Sequence, residues 1–137
     1  MTHSYTLSTL KNIPTKSFTM TALELKEYIE WDVKRVYFLT SGLGDRLTGS
    51  HCHLKDEDEL FIMVAGSCTI VVDDGSGLTE IELTGPNHAI SIPHMVWHHF
   101  KNLSDDAVIC ALSSTNYSSD RSDYCEDYQE FQKLVKC

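Results

Sequence analysis

His51-Cys52-His53, followed after five residues by Glu59-Leu60-Phe61-Ile62-Met63-Val64-Ala65-Gly66, is the stretch that decides how this chain reads. Residues two apart on a β-strand share a face, so His51 and His53 project together while Cys52 points to the other side. Glu59 opens an apolar run that Gly66 closes, and Cys68-Thr69-Ile70-Val71-Val72 begins the next one, which reads as a hairpin. A second hairpin-like stretch, Glu80-Ile81-Glu82-Leu83, Gly85-Pro86 and Ala89-Ile90-Ser91-Ile92-Pro93, delivers Trp97, His98 and His99 to the start of another strand. Imidazoles arriving from two strands mark a candidate active site.

Around this centre the pattern is mostly β. Alternation or short apolar runs at 33–39, 59–65, 68–73, 79–84, 88–92, 96–101 and 107–113 predict strands, separated by Gly, Asp, Asn, Pro or Ser clusters such as Asp73-Asp74-Gly75-Ser76-Gly77. Seven short strands at close spacing fit a sandwich or barrel. Residues 21–30 read either as a helix, with Thr21 and Glu24 in capping-box positions, or as part of a strand. Residues 122–135 place Tyr124, Tyr128, Phe131 and Val135 on one stripe and predict a terminal amphipathic helix.

Composition bounds the function classes. The chain has 137 residues, 42% of them hydrophobic, which suffices for one domain without disulfide support. Its five cysteines are odd in number and form no CxxC pair, which argues against a disulfide framework or a zinc knuckle and suggests a reducing compartment. No apolar stretch approaches the roughly 18 residues of a membrane span, so the expected location is the cytoplasm. Net charge is -9, which disfavours nucleic acid as a partner. A small anionic ligand remains compatible if Lys34, Arg35, Arg46 and Lys55 gather near the histidines.

The elements HxH (His51, His53), E-x6-G (Glu59, Gly66) and P-x4-H-x3-N (Pro93, His98, Asn102) together resemble the two boxes of the cupin superfamily, with a spacer after His53 that is one or two residues longer than usual. The resemblance implies an all-β, single-domain jelly-roll barrel over residues 1–137, here with a short C-terminal helix. A narrower likeness follows from Lys34-Arg35-Val36-Tyr37-Phe38, Gly49-Ser50-His51-Cys52-His53-Leu54-Lys55, Gly66-Ser67-Cys68, Val96-Trp97-His98 and the distal Asp123-Tyr124 and Asp127-Tyr128. Over about residues 30–131 these blocks resemble the WxcM-like sugar-nucleotide 3,4-ketoisomerases.

That likeness implies metal-free isomerisation of a thymidine-diphosphate-linked 4-keto-6-deoxyhexose to its 3-keto isomer, on the way to aminated surface sugars. Moving the carbonyl needs a base of near-neutral pKa beside the sugar ring, which suits histidine. In the resemblance His51 is the principal proton shuttle, and His53 orients it or stabilises the oxyanion. Arg35 and, less directly, Arg46 would meet the pyrophosphate. Tyr37 and Trp97 would stack on sugar or thymine, with His98 also at the substrate.

Three positions depart from the family pattern. Thr48 replaces the arginine usually found before the glycine of GxHxH, Lys16-Ser17 replaces an Arg-Gly, and Glu59 stands where glutamine is usual. Glu59 opens a rival reading in which His51, His53, Glu59 and His98 ligate one divalent transition metal. A third is a cupin that binds a sugar nucleotide without turning it over. Open sheet edges recruit partners, so a homodimer is expected.

Overall fold

Strand alternation becomes two facing antiparallel sheets in the computed structural model, which describes residues 4–42 and 48–136. The elements are β1 (Thr6–Thr9), β2 (Asn12–Pro14), β3 (Thr19–Thr21), β4 (Arg35–Thr40), β5 (Thr48–His53), β6 (Glu59–Ala65), β7 (Ser67–Asp73), β8 (Thr79–Thr84), β9 (His88–Ile92), β10 (Trp97–Lys101), β11 (Val108–Ser113), β12 (Tyr124–Cys125) and the helix α1 (Tyr128–Val135). One sheet runs β1-β9-β6-β11-β4 and the other β12-β5-β10-β7-β8, while β2 and β3 form a separate hairpin.

Phe61, Met63, Ile70, Val72, Ile90, Ile92, Phe100 and Ile109 fill the space between the sheets. Each such side chain contributes about 1.5–3 kcal/mol by leaving water. On β4 the alternation is strict: Tyr37 and Leu39 pack against this core while Val36 and Phe38 face outward. Outside the first sheet, residues 23–33 cover Leu60, Ala89 and Leu112; outside the second, α1 covers Cys52 and Trp97 with Phe131.

Gly66 makes the turn from β6 to β7. Its φ of 71° lies in the left-handed region, and a Cβ there would meet the Ala107 backbone at 2.8 Å. The glycine that closes the E-x6-G box is therefore required by the turn itself.

All seven strands read from the sequence are present, with ends shifted by at most two residues. Two expectations change. The terminal helix spans only Tyr128–Val135, because Tyr124 and Cys125 pair with His53 and Cys52 of β5 and the Asp127 carboxylate caps the helix by accepting the Gln129 and Glu130 N–H groups. Within 21–30 a single 3-10 turn forms at Leu25–Glu27, preceded by β3; the Thr21 hydroxyl bonds Asn12, so no capping box forms. The strands β1 to β3 and β12 are additions to the sequence reading.

Candidate active site

Strand β5 turns His51 and His53 into the space between the sheets and sends Cys52 outward. On the neighbouring β10, His98 is the register partner of His51, and β6 contributes Glu59 from the opposite sheet. The His51 ring centre lies 4.7 Å from that of His53, 4.8 Å from that of His98 and 4.7 Å from that of Tyr124 on β12.

His53 is the hub. Its Nδ1 meets an Asp123 carboxylate oxygen at 3.1 Å, and its Nε2 meets Glu57 at 2.9 Å, Glu59 at 3.2 Å and His51 Nε2 at 3.2 Å. Burial alone would lower its pKa, but the hydrogen bonds and charges of Glu57 and Glu59 overcome that and lift it to about 9. His53 is thus an imidazolium at neutral pH, and its Nε2–H has the Glu57 carboxylate as nearest acceptor, with Glu59 and His51 Nε2 slightly farther away.

Glu57 answers in the opposite sense. Burial would raise its pKa, yet bonds from His53 and the Thr115 hydroxyl, together with the charges of His53 and Arg35, hold it at about 2. Arg35 Nη2 lies 3.3 Å from Glu57, and its guanidinium sits over the rings of Tyr37 and Tyr117. Tyr37 donates its hydroxyl to Glu59; burial first, and then the Glu59 charge, keep that phenol protonated. His98 is held neutral, at about 4, chiefly by burial and then by His51, and its Nδ1 bonds the Val96 carbonyl.

A cavity of about 370 Å³ opens over these groups, lined by Tyr37, His51, Phe61, His98, Arg121 and Tyr124. An adjoining space of about 290 Å³ reaches Arg35, His53, Glu57, Glu59 and Tyr117. Together they offer a base, a fixed cation, a protonated phenol and aromatic walls.

The structure brings Arg35, Tyr37, His51, His53, Glu59 and His98 together as read from the sequence. Arg46 falls outside the described residues. Trp97 is a correction: it alternates with His98, so its indole faces away from the cavity and packs against Tyr128 and Phe131 with 5% exposure. Glu57, Asp123, Tyr124 and Tyr117 were not read as site residues. The Asp123-Tyr124 pair was visible, but assigning it to a helix hid the strand that carries both to the histidines. Asp123 is fixed there by accepting the Lys55 N–H at 2.6 Å.

The donor set also suits a metal. The separations of 3.2 Å from His51 Nε2 to His53 Nε2, 3.2 Å from His53 Nε2 to Glu59 and 3.9 Å from His98 Nε2 to Glu59 resemble the edges of a shell whose bonds are about 2.0–2.2 Å. Outer carboxylate and carbonyl bonds on His53 and His98 orient their Nε2 atoms inward, as metal-bound imidazoles require.

Comparison with known proteins places the chain. It matches the FdtA family, described as WxcM-like, C-terminal, over residues 3–136. The protein belongs to this WxcM-like family. A TDP-4-oxo-6-deoxy-α-D-glucose-3,4-oxoisomerase from Aneurinibacillus thermoaerophilus is 32% identical to the WxcM-like chain over 117 residues, covering 85% of it and 82% of the relative. A 3,4-ketoisomerase from Helicobacter canadensis superposes with a TM-score of 0.84 at 32% identity, covering 98% and 99% of the two chains. A histidine-to-asparagine variant of a Thermoanaerobacterium thermosaccharolyticum 3,4-ketoisomerase, in complex with TDP-4-keto-6-deoxyglucose, superposes with a TM-score of 0.84 at 28% identity over 99% and 96%.

Proposed function

We propose that this protein is a sugar-nucleotide 3,4-ketoisomerase acting on a dTDP-linked 4-keto-6-deoxyhexose, the substrate class of its relatives. The observation that carries the reading is the contact of His51 with a His53 imidazolium beside one cavity. His51 removes the proton from C3. The electron pair moves into a C3–C4 enediolate, and negative charge develops on O4 beside the His53 cation. His51 returns its proton to C4, while the hydroxyl proton passes from O3 to O4 with His53 and the Tyr37 phenol as donors within reach. The sum is an isomerisation with no net gain or loss of protons.

Arg35 is offered as the anion contact and the Tyr37 and Tyr124 rings as the walls against sugar or base. The proposed reaction needs no metal. With His53 deprotonated, His51, His53 and Glu59, whose donor atoms lie within 4.8 Å of one another, would hold a divalent ion with His98 nearby, and its Lewis acidity would polarise a carbonyl. A binding-only role is disfavoured by the poised acid and base pair.

A homodimer is part of the same proposal. Val36, Phe38 and Val64 stand 52%, 65% and 43% exposed on one outer face that ends at β4, the edge strand of its sheet among the described residues. Cytoplasmic residence belongs with it, supported by the free thiols of Cys52, Cys68, Cys110 and Cys125. Among the described residues no helix is long and apolar enough to cross a membrane.

The test is incubation of chelator-treated protein with dTDP-4-keto-6-deoxyglucose in deuterated water, followed by proton NMR. A 3-keto product is expected, and unchanged substrate would overturn the proposal.

A further inference from the structure

Cys52 and Cys125 take no part in the chemistry above, yet they stand directly opposite one another in the antiparallel pairing of β5 with β12. Both side chains lie on the outer face of the sheet, beneath α1, in one cluster with Trp97 and Phe131. Opposed residues in such a ladder have Cα atoms about 4.5–5.5 Å apart, within the roughly 4.4–6.8 Å that a disulfide spans. The two thiols interact, and no disulfide joins them. The other described cysteines are placed differently: Cys68 bonds Met63 and Cys110 lies on β11 in the other sheet.

What the pair would fasten matters for the site. Strand β12 contributes only two residues of pairing, extended by the Leu54 N–H to the Asp123 carbonyl. That short segment carries the Asp123 carboxylate to His53 and the Tyr124 ring to His51.

The geometry points to Cys52 and Cys125 as an oxidisable dithiol whose disulfide locks β12, and with it Asp123 and Tyr124, onto the histidine strand. The oxidant is of the peroxide class. One thiol, as its thiolate, attacks a peroxide oxygen; the O–O bond breaks, and a sulfenic acid and water form. The second sulfur displaces the sulfenic oxygen as another water. Two S–H bonds and one O–O bond are lost, one S–S bond forms, and two electrons pass from sulfur to oxygen. Burial pushes the Cys52 thiol up to about 12, so the reaction waits on β12 lifting from the sheet. Cys125, slightly exposed at 7% against 0% for Cys52, is the sulfur placed to react first.

The experiment treats the full chain with hydrogen peroxide, alkylates the remaining thiols, and maps peptides without reduction. The expected result is a Cys52–Cys125 linked peptide, loss of two hydrogen masses, and a melting temperature raised on the order of 10 °C that dithiothreitol reverses. The Cys125→Ala variant, which leaves the fully buried Cys52 in place, should lose both signals. Recovery of Cys52 and Cys125 as alkylated thiols or sulfinic acids, or their linkage to other cysteines, would overturn the assignment. A correct link that leaves the melting temperature unmoved would overturn the locking role.

Discussion

His53 Nε2 and Glu57 Oε2 lie 2.9 Å apart, and both side chains are at most 9% exposed. In that setting the charged pair is self-consistent: the carboxylate holds the proton on the imidazole and the imidazolium holds the carboxylate ionised, with Glu59 and Asp123 adding to the first effect. Two histidines of identical chemistry are thereby given different roles. His53 becomes a fixed cation, and His51 is the imidazole to which the proposed reaction gives the proton transfer.

Glu57→Gln keeps the shape and a hydrogen-bonding group but removes one negative charge from His53. The His53 pKa falls, and Arg35 loses its ionic partner. The expected outcome is a kcat reduced on the order of tenfold near pH 8, with the alkaline limb of the kcat profile moved to lower pH. In the same assay His51→Asn should abolish turnover while the circular dichroism spectrum is retained. An unmoved alkaline limb in Glu57→Gln would show that His53 charge does not govern the rate.

Stability should peak near pH 6.5. His53 has a raised folded pKa of about 9, so its contribution is complete below its ordinary value near 6.5 and is lost as pH rises through 9. His98 has a lowered pKa of about 4, so folding is weakened as pH falls from about 6.5 towards 4. Glu57, at about 2, contributes above its ordinary value near 4.5 and loses that contribution as pH falls through 2. Urea midpoints measured across pH 3 to 10 check the shape, and His53→Asn should flatten the slope between about pH 6.5 and 9 while also shrinking the Glu57 contribution on the acid side.

The sequence made the fold and the histidine cluster legible for one reason: alternation along single strands fixes which residues share a face, and His51, His53 and His98 obey it. The same rule, applied to the neighbouring positions 97 and 98, would have turned Trp97 outward. Glu57, Asp123 and Tyr124 were hidden because their placement depends on long-range pairing. Asp123 reaches His53 through a two-residue strand, 70 positions away in sequence, that local periodicity reads as the start of a helix. The aromatic stripe misled in the same way, since Tyr128 and Phe131 lie on the helix that Asp127 caps while Tyr124 lies on β12.

Chelator treatment should leave turnover unchanged, because the proposed proton transfers use only side chains. Adding cobalt(II) to the chelator-treated protein should then inhibit, since a metal held by His51 would compete with the proton transfer proposed for that ring. Visible absorption of the cobalt-loaded protein provides a readout independent of activity, and Glu59→Gln should weaken it. Chelator-sensitive turnover restored by one metal would reverse the assignment and make the ion part of the reaction.

Phe38→Lys tests the proposed dimer. Phe38 is 65% exposed on β4 while its strand neighbour Tyr37 faces the cavity, so the change loads a charge onto the outer face without touching the site. Sedimentation velocity should show the parent chain as a dimer and the variant as a monomer. Equal mass for both would place the interface elsewhere.

Trp97 and His98 are neighbours in sequence on opposite faces of β10, which makes Trp97 a clean test of which face meets substrate. Its indole packs against Tyr128 and Phe131, with ring centres 5.3 and 5.8 Å away. Replacing it by alanine empties a well-packed site and should cost about 3–5 kcal/mol of folding stability. Trp97→Phe retains most of the packing and should lower the melting temperature by a few degrees while leaving KM for the sugar nucleotide unchanged. Tyr124→Ala, on the strand that faces His51, should behave in the opposite sense, raising KM with a smaller loss of stability. A KM that rises in Trp97→Phe at unchanged melting temperature would place the indole at the substrate after all.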